Sequence, residues 1–130
     1  MSGFVVDFSG KSAIVTGAGS GVGRAIAEAL VNAGASVALN DLNPDRVETL
    51  VADLSTDDNQ VVGFHGDISN RFQVSALIER ARDAHGKIDF FVHAAGIYKA
   101  EALSTIDEWD WRRQIEVNLS GTFFCTQLMS

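Results

Sequence analysis

The sequence predicts an α/β fold in which helices cover both faces of a doubly wound parallel sheet. Short apolar runs alternate with segments of helical periodicity along the chain, which is the pattern of strand–helix–strand units. A glycine-rich turn joins the first apolar run directly to the first helix. Right-handed crossovers between the four strands lead us to expect the strand order 3-2-1-4. The 130 residues, 46% of them hydrophobic, suffice for one domain.

The first strand, residues 12–16, runs into a turn that is suited to bind phosphate. Its apolar side chains fit a strand buried on both faces, and residues 21–33 follow as a helix. Glycine allows sharp turns and close approach, and the first amides of a helix lack partners within the helix. A P-loop would continue with Lys, whereas Arg24 and Ala25 follow here. A tight turn without a ligand remains the alternative. The glycines concerned are Gly17, Gly21 and Gly23.

The second strand, residues 36–40, places an acidic side chain at the same edge of the sheet. Asp41 follows it, 18 residues after Gly23, close to the spacing at which an acid accepts the ribose hydroxyls of NAD. A carboxylate there repels the extra phosphate of NADP. NAD is therefore the expected cofactor and NADP the less favoured one, because Arg46 could still reach that phosphate. Asp41 could instead begin a turn or cap the next helix.

The middle of the chain contains a helix, a strand and a second helix. Asn43 and Pro44 predict the start of the first of these helices, as its N-cap and first residue, and helical spacing continues to about residue 54. A polar loop over 55–60 leads to a third strand over 61–65. The next helix is expected over residues 70–85. Its inward-facing side chains are predicted to be Phe72, Val74, Leu77, Ile78 and Ala81.

The fourth strand and the last helix complete the predicted fold. The strand, over 88–93, is the most apolar of the four. Thr105-x-x-Glu108 predicts, as a capping box, the start of the long helix. Gly121 weakens that helix and is expected to allow a local kink. The helix is expected to be long and strongly apolar, because its residues include Trp109, Ile115, Leu119, Phe123 and Leu128. The lead-in residues expected against the sheet edge are Phe4, Val5, Val6 and Phe8.

The turn resembles the cofactor-binding signature of the short-chain dehydrogenase/reductase family. It reads Thr16-Gly17-Ala18-Gly19-Ser20-Gly21-Val22-Gly23. The resemblance implies a Rossmann-like sheet and a nicotinamide cofactor, with Gly23 allowing close helix packing. It also implies that four residues of the turn line the cofactor: Gly17, Ser20, Gly21 and Val22.

Three later segments carry the same resemblance. Gly66-Asp67-Ile68 is similar to the family segment that contacts adenine, which implies that Asp67 and Ile68 touch the cofactor. Asp67 could instead cap a helix or form part of a turn. His93-Ala94-Ala95-Gly96 is similar to the family segment Asn-Asn-Ala-Gly, which implies that Ala95 and Gly96 pass close to a cofactor ribose. The histidine departs from the pattern, but one ring nitrogen could brace the sheet as the usual asparagine does. Asn118 matches the asparagine of the family's catalytic tetrad, and a surface asparagine is the alternative.

The family's catalytic couple, Tyr-x-x-x-Lys, does not occur in the sequence. Tyr98 is the one tyrosine, and Lys99 follows it directly, so the two side chains are expected to point apart. A tyrosine needs a neighbouring cation to act as an acid or base near neutral pH. We therefore expect residues 1–130 to be the cofactor-binding front part of an alcohol/ketone oxidoreductase, truncated relative to the family and inactive alone. A catalytically silent NAD-binding or interaction module is the alternative. Extended epimerase relatives fit less well, because their turn usually reads G-x-x-G-x-x-G.

Composition limits the partners and the location. A formal net charge of −7 argues against nucleic acid, no apolar run approaches the roughly 20 residues of a membrane span, and no histidine has a second ligand spaced for a metal site. Cys125 has no second cysteine for a disulfide, which fits the cytoplasm. The resemblance implies a small-molecule alcohol or ketone substrate and a homodimer or homotetramer formed through the helix of Asn118.

Overall fold

The strands form one parallel sheet with the predicted order, and this computed structural model describes residues 5–55 and 60–130. The strands, which stand in the sheet as β3-β2-β1-β4, are β1 (Ser12–Thr16), β2 (Ser36–Asp41), β3 (Val61–His65) and β4 (Phe90–His93). The helices are α1 (Gly21–Asn32), α2 (Pro44–Leu54), α3 (Arg71–His85), α4 (Glu108–Ile115) and α5 (Gly121–Met129). A π-helical turn, Glu116–Ser120, joins α4 to α5.

The strand register brings the carboxyl ends of all four strands to one edge. Thr16 at the end of β1 pairs with His93 at the end of β4, and Asp41 at the end of β2 pairs with His65 at the end of β3. In a doubly wound sheet this edge is where ligands bind. The residues that follow each strand therefore converge on one crevice.

The core lies on both faces of the two central strands. On β1, Ile14 packs with the side chains of α3 and α5, while Val15 packs on the opposite face with those of α1 and α2. Each such buried aliphatic side chain contributes about 1.5–3 kcal/mol relative to exposure. The continuous apolar pattern of β1 and β2 thus has a direct structural cause, because a strand covered on both faces has no side for polar residues.

One side chain of α3 that was predicted to face inward is exposed, and helix geometry explains why. Phe72 on α3 is exposed, whereas Val74, Leu77, Ile78 and Ala81 are buried as predicted. Phe72 lies two positions before Val74, which is more than half a helical turn, so its side chain projects from the other face. Asn70 caps α3 by accepting hydrogen bonds from the amides of Phe72 and Gln73.

The predicted start of the last helix is also wrong. Asp107, not Thr105, caps α4 by accepting from the amide of Trp109, so the capping-box interpretation fails. The buried positions of the π-helical turn and α5 are Val117, Gly121 and Cys125, spaced by four. A Cβ on Gly121 would lie 2.1 Å from Ile68 Cδ1, so close approach selects a small residue there. Most of the large apolar side chains that mark this helix in the sequence lie on the other face, where Trp109, Ile115, Leu119 and Phe123 are exposed.

Of the N-terminal residues expected to lie against the sheet edge, the structure supports only Phe8. Phe8 packs edge-on against Phe90 of β4, with ring centroids 5.3 Å apart, while Val5 and Val6 are exposed. Phe4 and residues 56–59 of the polar loop lie outside the described residues. Within the described ranges, the helices are all too short or too polar to cross a membrane.

Candidate functional site

The turn between β1 and α1 folds tightly against neighbouring backbone. Gly17 and Gly21 have φ angles of +62° and +56°, in the left-handed region that favours glycine. A Cβ on Gly17 would lie 2.6 Å from the Cα of Ala95, and one on Gly23 would lie 2.1 Å from the carbonyl oxygen of Gly17. Gly17 and Gly23 therefore have no space for a side chain.

The N-terminus of α1 opens towards the crevice without a side-chain cap. The side chains of Asn43, Asn70 and Asp107 cap α2, α3 and α4 by accepting hydrogen bonds from first-turn amides. Ser20, at the N-cap of α1, is extended and makes no such bond. The first amides of α1 can therefore donate to an anion, and the helix dipole adds to that attraction.

Asp41 is held against the turn by two backbone amides. Its Oδ2 accepts from Gly19 N at 2.9 Å and its Oδ1 accepts from Asn43 N at 3.0 Å, and the residue is only 8% exposed. A Cβ on Gly19 would lie 2.7 Å from Asp41 Oδ2 and 2.8 Å from Arg46 Cβ. The carboxylate is thus fixed beside the glycine turn, as a ribose-binding acid would need to be. Of the two sequence alternatives, the turn has a basis in the bond from Asn43 N, whereas the N-cap of α2 is Asn43 and not Asp41.

The hydroxyl of Thr16 joins the ends of β1 and β4. Its Oγ1 accepts from Ala94 N at 3.1 Å and from Ala95 N at 3.2 Å, and it lies 2.8 Å from His93 Nδ1. Because a hydroxyl has two lone pairs and one proton, the two amides leave that proton for Nδ1. His93 is therefore neutral with its proton on Nε2, a buried atom that has no hydrogen-bond partner among the described residues. One ring nitrogen braces the sheet, as the sequence suggested.

We expect stability to fall on acidification because of His93. Burial lowers the pKa of His93 below its ordinary value of 6.5, so the unfolded chain binds a proton that the folded chain rejects. This contribution to stability is complete above pH 6.5 and declines as the pH falls through that value, by at most about 1.4 kcal/mol per pH unit. Urea unfolding from pH 5 to 8 should show a steeper loss in the wild type than in His93→Asn. Parallel curves for the two proteins would contradict the assignment.

The segment after β3 meets a basic residue that sequence analysis did not single out. Asp67 Oδ2 accepts from Arg113 Nη2 at 2.8 Å, and Asp67 Oδ1 accepts from the Ser69 amide at 2.9 Å. Ile68, beside it, is buried against Gly121. The sequence offered no direct signal for this pairing, since 46 residues separate Asp67 from Arg113.

Asn118 lies in the π-helical turn and holds the loop after β4. Its Oδ1 accepts from Ile97 N at 2.8 Å and its Nδ2 donates to Ile97 O at 2.7 Å. A π-helical turn is frequent at functional sites, because the extra residue re-aims side chains. Asn118 is exposed, as the surface alternative requires, but both ends of its amide bind the backbone of Ile97.

These segments enclose one cavity of about 420 Å³ at the carboxyl edge of the sheet. All nine residues predicted to contact a cofactor line it: Gly17, Ser20, Gly21, Val22, Asp41, Asp67, Ile68, Ala95 and Gly96. Asn118 is absent from the lining but binds Ile97, which is part of it. Lining residues that the sequence analysis did not assign to a cofactor include Asn40, Leu42, Ala94, Arg113 and Val117. Asn40, Leu42 and Ala94 lie at the carboxyl ends of β2 and β4, and that position could have indicated them from the sequence.

The sheet order, the glycine turn and the acid at the end of β2 define a Rossmann-like α/β protein. Residues 11–130 match the family model described as short chain dehydrogenase. The chain therefore belongs to the short-chain dehydrogenase/reductase family of oxidoreductases.

Individual relatives agree with this assignment. The chain is 39% identical to subunit BbsD of (2S)-[(R)-hydroxy(phenyl)methyl]succinyl-CoA dehydrogenase from Thauera aromatica, over 90% of this chain and 47% of the relative. It is 38% identical to D-threitol dehydrogenase from Mycolicibacterium smegmatis, over 94% and 48% respectively. A crystal structure of a short-chain dehydrogenase/reductase (glucose/ribitol dehydrogenase) from Brucella melitensis superposes with a TM-score of 0.92 at 31% identity, over 97% of this chain and 53% of that one. The chain spans about half the length of these relatives.

Proposed function

We propose that residues 1–130 form the NAD(P)-binding domain of an oxidoreductase that transfers hydride between a nicotinamide and an alcohol or ketone. The observation that carries the proposal is the position of Asp41, fixed against the glycine turn at the mouth of the same cavity. The family assignment supports the reaction class, because the named relatives are dehydrogenases. The proposed substrate is accordingly a small alcohol or ketone.

The residues present fit a dinucleotide along the cavity. The uncapped amides of α1, beside glycines without space for a Cβ, suit a pyrophosphate. On the β2 side of the cavity, Asp41 would bind the adenosine ribose. Asp67 and Ile68, which follow β3, would contact the adenine base. On the other side, Ala95 and Gly96 would lie along the nicotinamide ribose. A bound nicotinamide supplies the hydride chemistry, and the turn residues Ser20, Gly21 and Val22 orient it from the phosphate side.

The cofactor preference tests the proposal. Asp41→Ala is expected to weaken NAD binding and to shift the ratio of NADP to NAD affinity at least about tenfold towards NADP, since an ionic hydrogen bond to ribose is lost and a repulsion of phosphate is removed. Calorimetric dissociation constants for NAD and NADP measure both effects. Asp45→Asn is the matched control, because Asp45 is an exposed acid of α2 outside the cavity. An unchanged ratio in Asp41→Ala would refute the ribose assignment, and a wild type that binds neither cofactor would refute the function.

The groups that could transfer a proton decide whether these residues are active by themselves. Tyr98 is 85% exposed, and Lys99 Nζ lies 2.5 Å from Asp110 Oδ2, so Lys99 is engaged by a carboxylate and not by the tyrosine. We propose that residues 1–130 bind the cofactor but do not themselves supply the Tyr-x-x-x-Lys couple, and that they do not turn over alcohols alone. Asn118 would contribute to the catalytic site through the loop backbone at Ile97. The missing couple equally favours a catalytically silent NAD-binding module as the second candidate.

The outer face of the last helices supports self-association. Trp111, Ile115, Leu119 and Phe123 recur at intervals of four and are all exposed. An apolar stripe of this kind is typical of a protein interface. We propose a homodimer or homotetramer formed through this face, in the cytoplasm, without a nucleic-acid partner.

A further inference from the structure

Asp67, Ser69 and Arg113 form a closed hydrogen-bonded ring at the β3 end of the cavity. Arg113 donates from Nη2 to Asp67 Oδ2 at 2.8 Å and from Nη1 to Ser69 Oγ at 2.7 Å. Ser69 Oγ donates in turn to Asp67 Oδ1 at 2.7 Å. The side chains of Arg113 and Asp67 are 22% and 25% exposed, so water screens the pair only partly. The ring ties the end of β3 to α4.

The ring fixes the carboxylate in both position and charge. The amide of Asp67 donates to Gln73 Oε1 at 2.6 Å, which anchors the backbone as well. Burial raises the pKa of Asp67, but hydrogen bonds from Ser69 and Arg113 outweigh it and hold the pKa below its ordinary value. An ionised carboxylate only accepts hydrogen bonds, and its two oxygens offer about four acceptor sites. Arg113 and Ser69 occupy three, which leaves acceptor capacity for a ligand.

The fixed carboxylate discriminates between two classes of purine. A 6-aminopurine presents an N–H donor at position 6, whereas a 6-oxopurine presents an acceptor there and carries its nearest donor on N1. A carboxylate that cannot move accepts from the first and repels the second, and a mismatched polar pair is the strongest source of discrimination in a binding site. A carboxylate released from its ring could rotate towards N1–H and tolerate both bases.

We propose that Arg113 is a specificity-determining residue that makes the site select a 6-aminopurine dinucleotide by holding the Asp67 carboxylate at the β3 end of the cavity. The proposal rests on the proposed function, because it requires the adenosine half of the cofactor at this end. Arg113 acts through Asp67 and is a positioning residue.

The test compares NAD with nicotinamide hypoxanthine dinucleotide, which differs at position 6 of the purine. Wild type is expected to bind NAD at least about tenfold more tightly, and Arg113→Met is expected to lose most of that ratio. The ratio reports selectivity independently of stability, because both ligands sample the same folded molecules. Arg112→Met is the matched control, since Arg112 is exposed on the same helix and pairs with Glu108. It should keep the wild-type ratio.

The outcomes separate this inference from the function on which it rests. A wild type that binds neither dinucleotide overturns the proposed function. A wild type that binds NAD with no preference over the hypoxanthine analogue overturns the role of the Asp67 ring. Equal ratios in wild type and Arg113→Met overturn the role of Arg113 alone.

Discussion

Replacement of Gly23 by alanine is expected to destabilise the fold by about 3 kcal/mol and to weaken NAD binding by about tenfold or more. The added Cβ would lie 2.1 Å from the carbonyl oxygen of Gly17 and 2.7 Å from its carbonyl carbon. These are backbone atoms, so no side chain can rotate away, and the turn or the first residues of α1 must move. The movement displaces the amides proposed to bind pyrophosphate. Urea unfolding and calorimetric NAD titration measure the two effects.

Gly21→Ala is the matched control for the effect of space. A Cβ on Gly21 meets nothing within 4 Å, but the residue has a φ of +56°. The cost is then only that of a left-handed alanine, about 1–2 kcal/mol. Alanine at 23 should therefore destabilise the protein more than alanine at 21. The reverse order would show that backbone conformation, and not close packing, selects glycine in this turn.

The sequence predicted the features of this fold that depend on local rules. Asn43 and Pro44 begin α2 as the N-cap and first residue, because capping is a matter of neighbouring amides. The apolar run of β1 is buried throughout, because a strand between two helical layers needs no polar face. The strand order follows from the family resemblance and from right-handed crossovers. These features need no knowledge of distant contacts.

One error is local. Thr105 and Glu108 have the spacing of a capping box, but the Thr105 hydroxyl donates to the carbonyl oxygen of Ala102, and Asp107 caps α4. Other features were missed because distant contacts decide them. Leu119 and Phe123 indicated an apolar helix, but the sequence did not show that α5 packs on the core through Gly121, where Ile68 comes close, and leaves those side chains exposed. The pairing of Arg113 with Asp67 was likewise beyond local rules. A periodic pattern identifies an apolar stripe and does not reveal whether the domain core or a partner covers it.

Thr16→Val is expected to destabilise the protein by about 2–4 kcal/mol, although it preserves the shape of a fully buried side chain. The hydroxyl accepts from the amides of Ala94 and Ala95 and bonds to His93 Nδ1. A valine leaves all three half-buried groups without their partner, and each buried unsatisfied group costs about 1–3 kcal/mol before relaxation or contact with water. Urea unfolding at pH 7.5, where His93 is neutral, measures the change.

Thr16→Ser separates the hydroxyl from the methyl group. Serine keeps all three hydrogen bonds and loses only one buried methyl, so its cost should be about 1 kcal/mol. His93 should keep its proton on Nε2 in the serine variant. In the valine variant no hydroxyl proton faces Nδ1, so both tautomers should become populated. Ring ¹⁵N chemical shifts distinguish the two tautomers. Equal stability of the serine and valine variants would show that Thr16 acts through packing. It would also mean that the hydrogen bond from Ala95 N to the Thr16 hydroxyl is not what holds the Ala95 backbone beside the cavity.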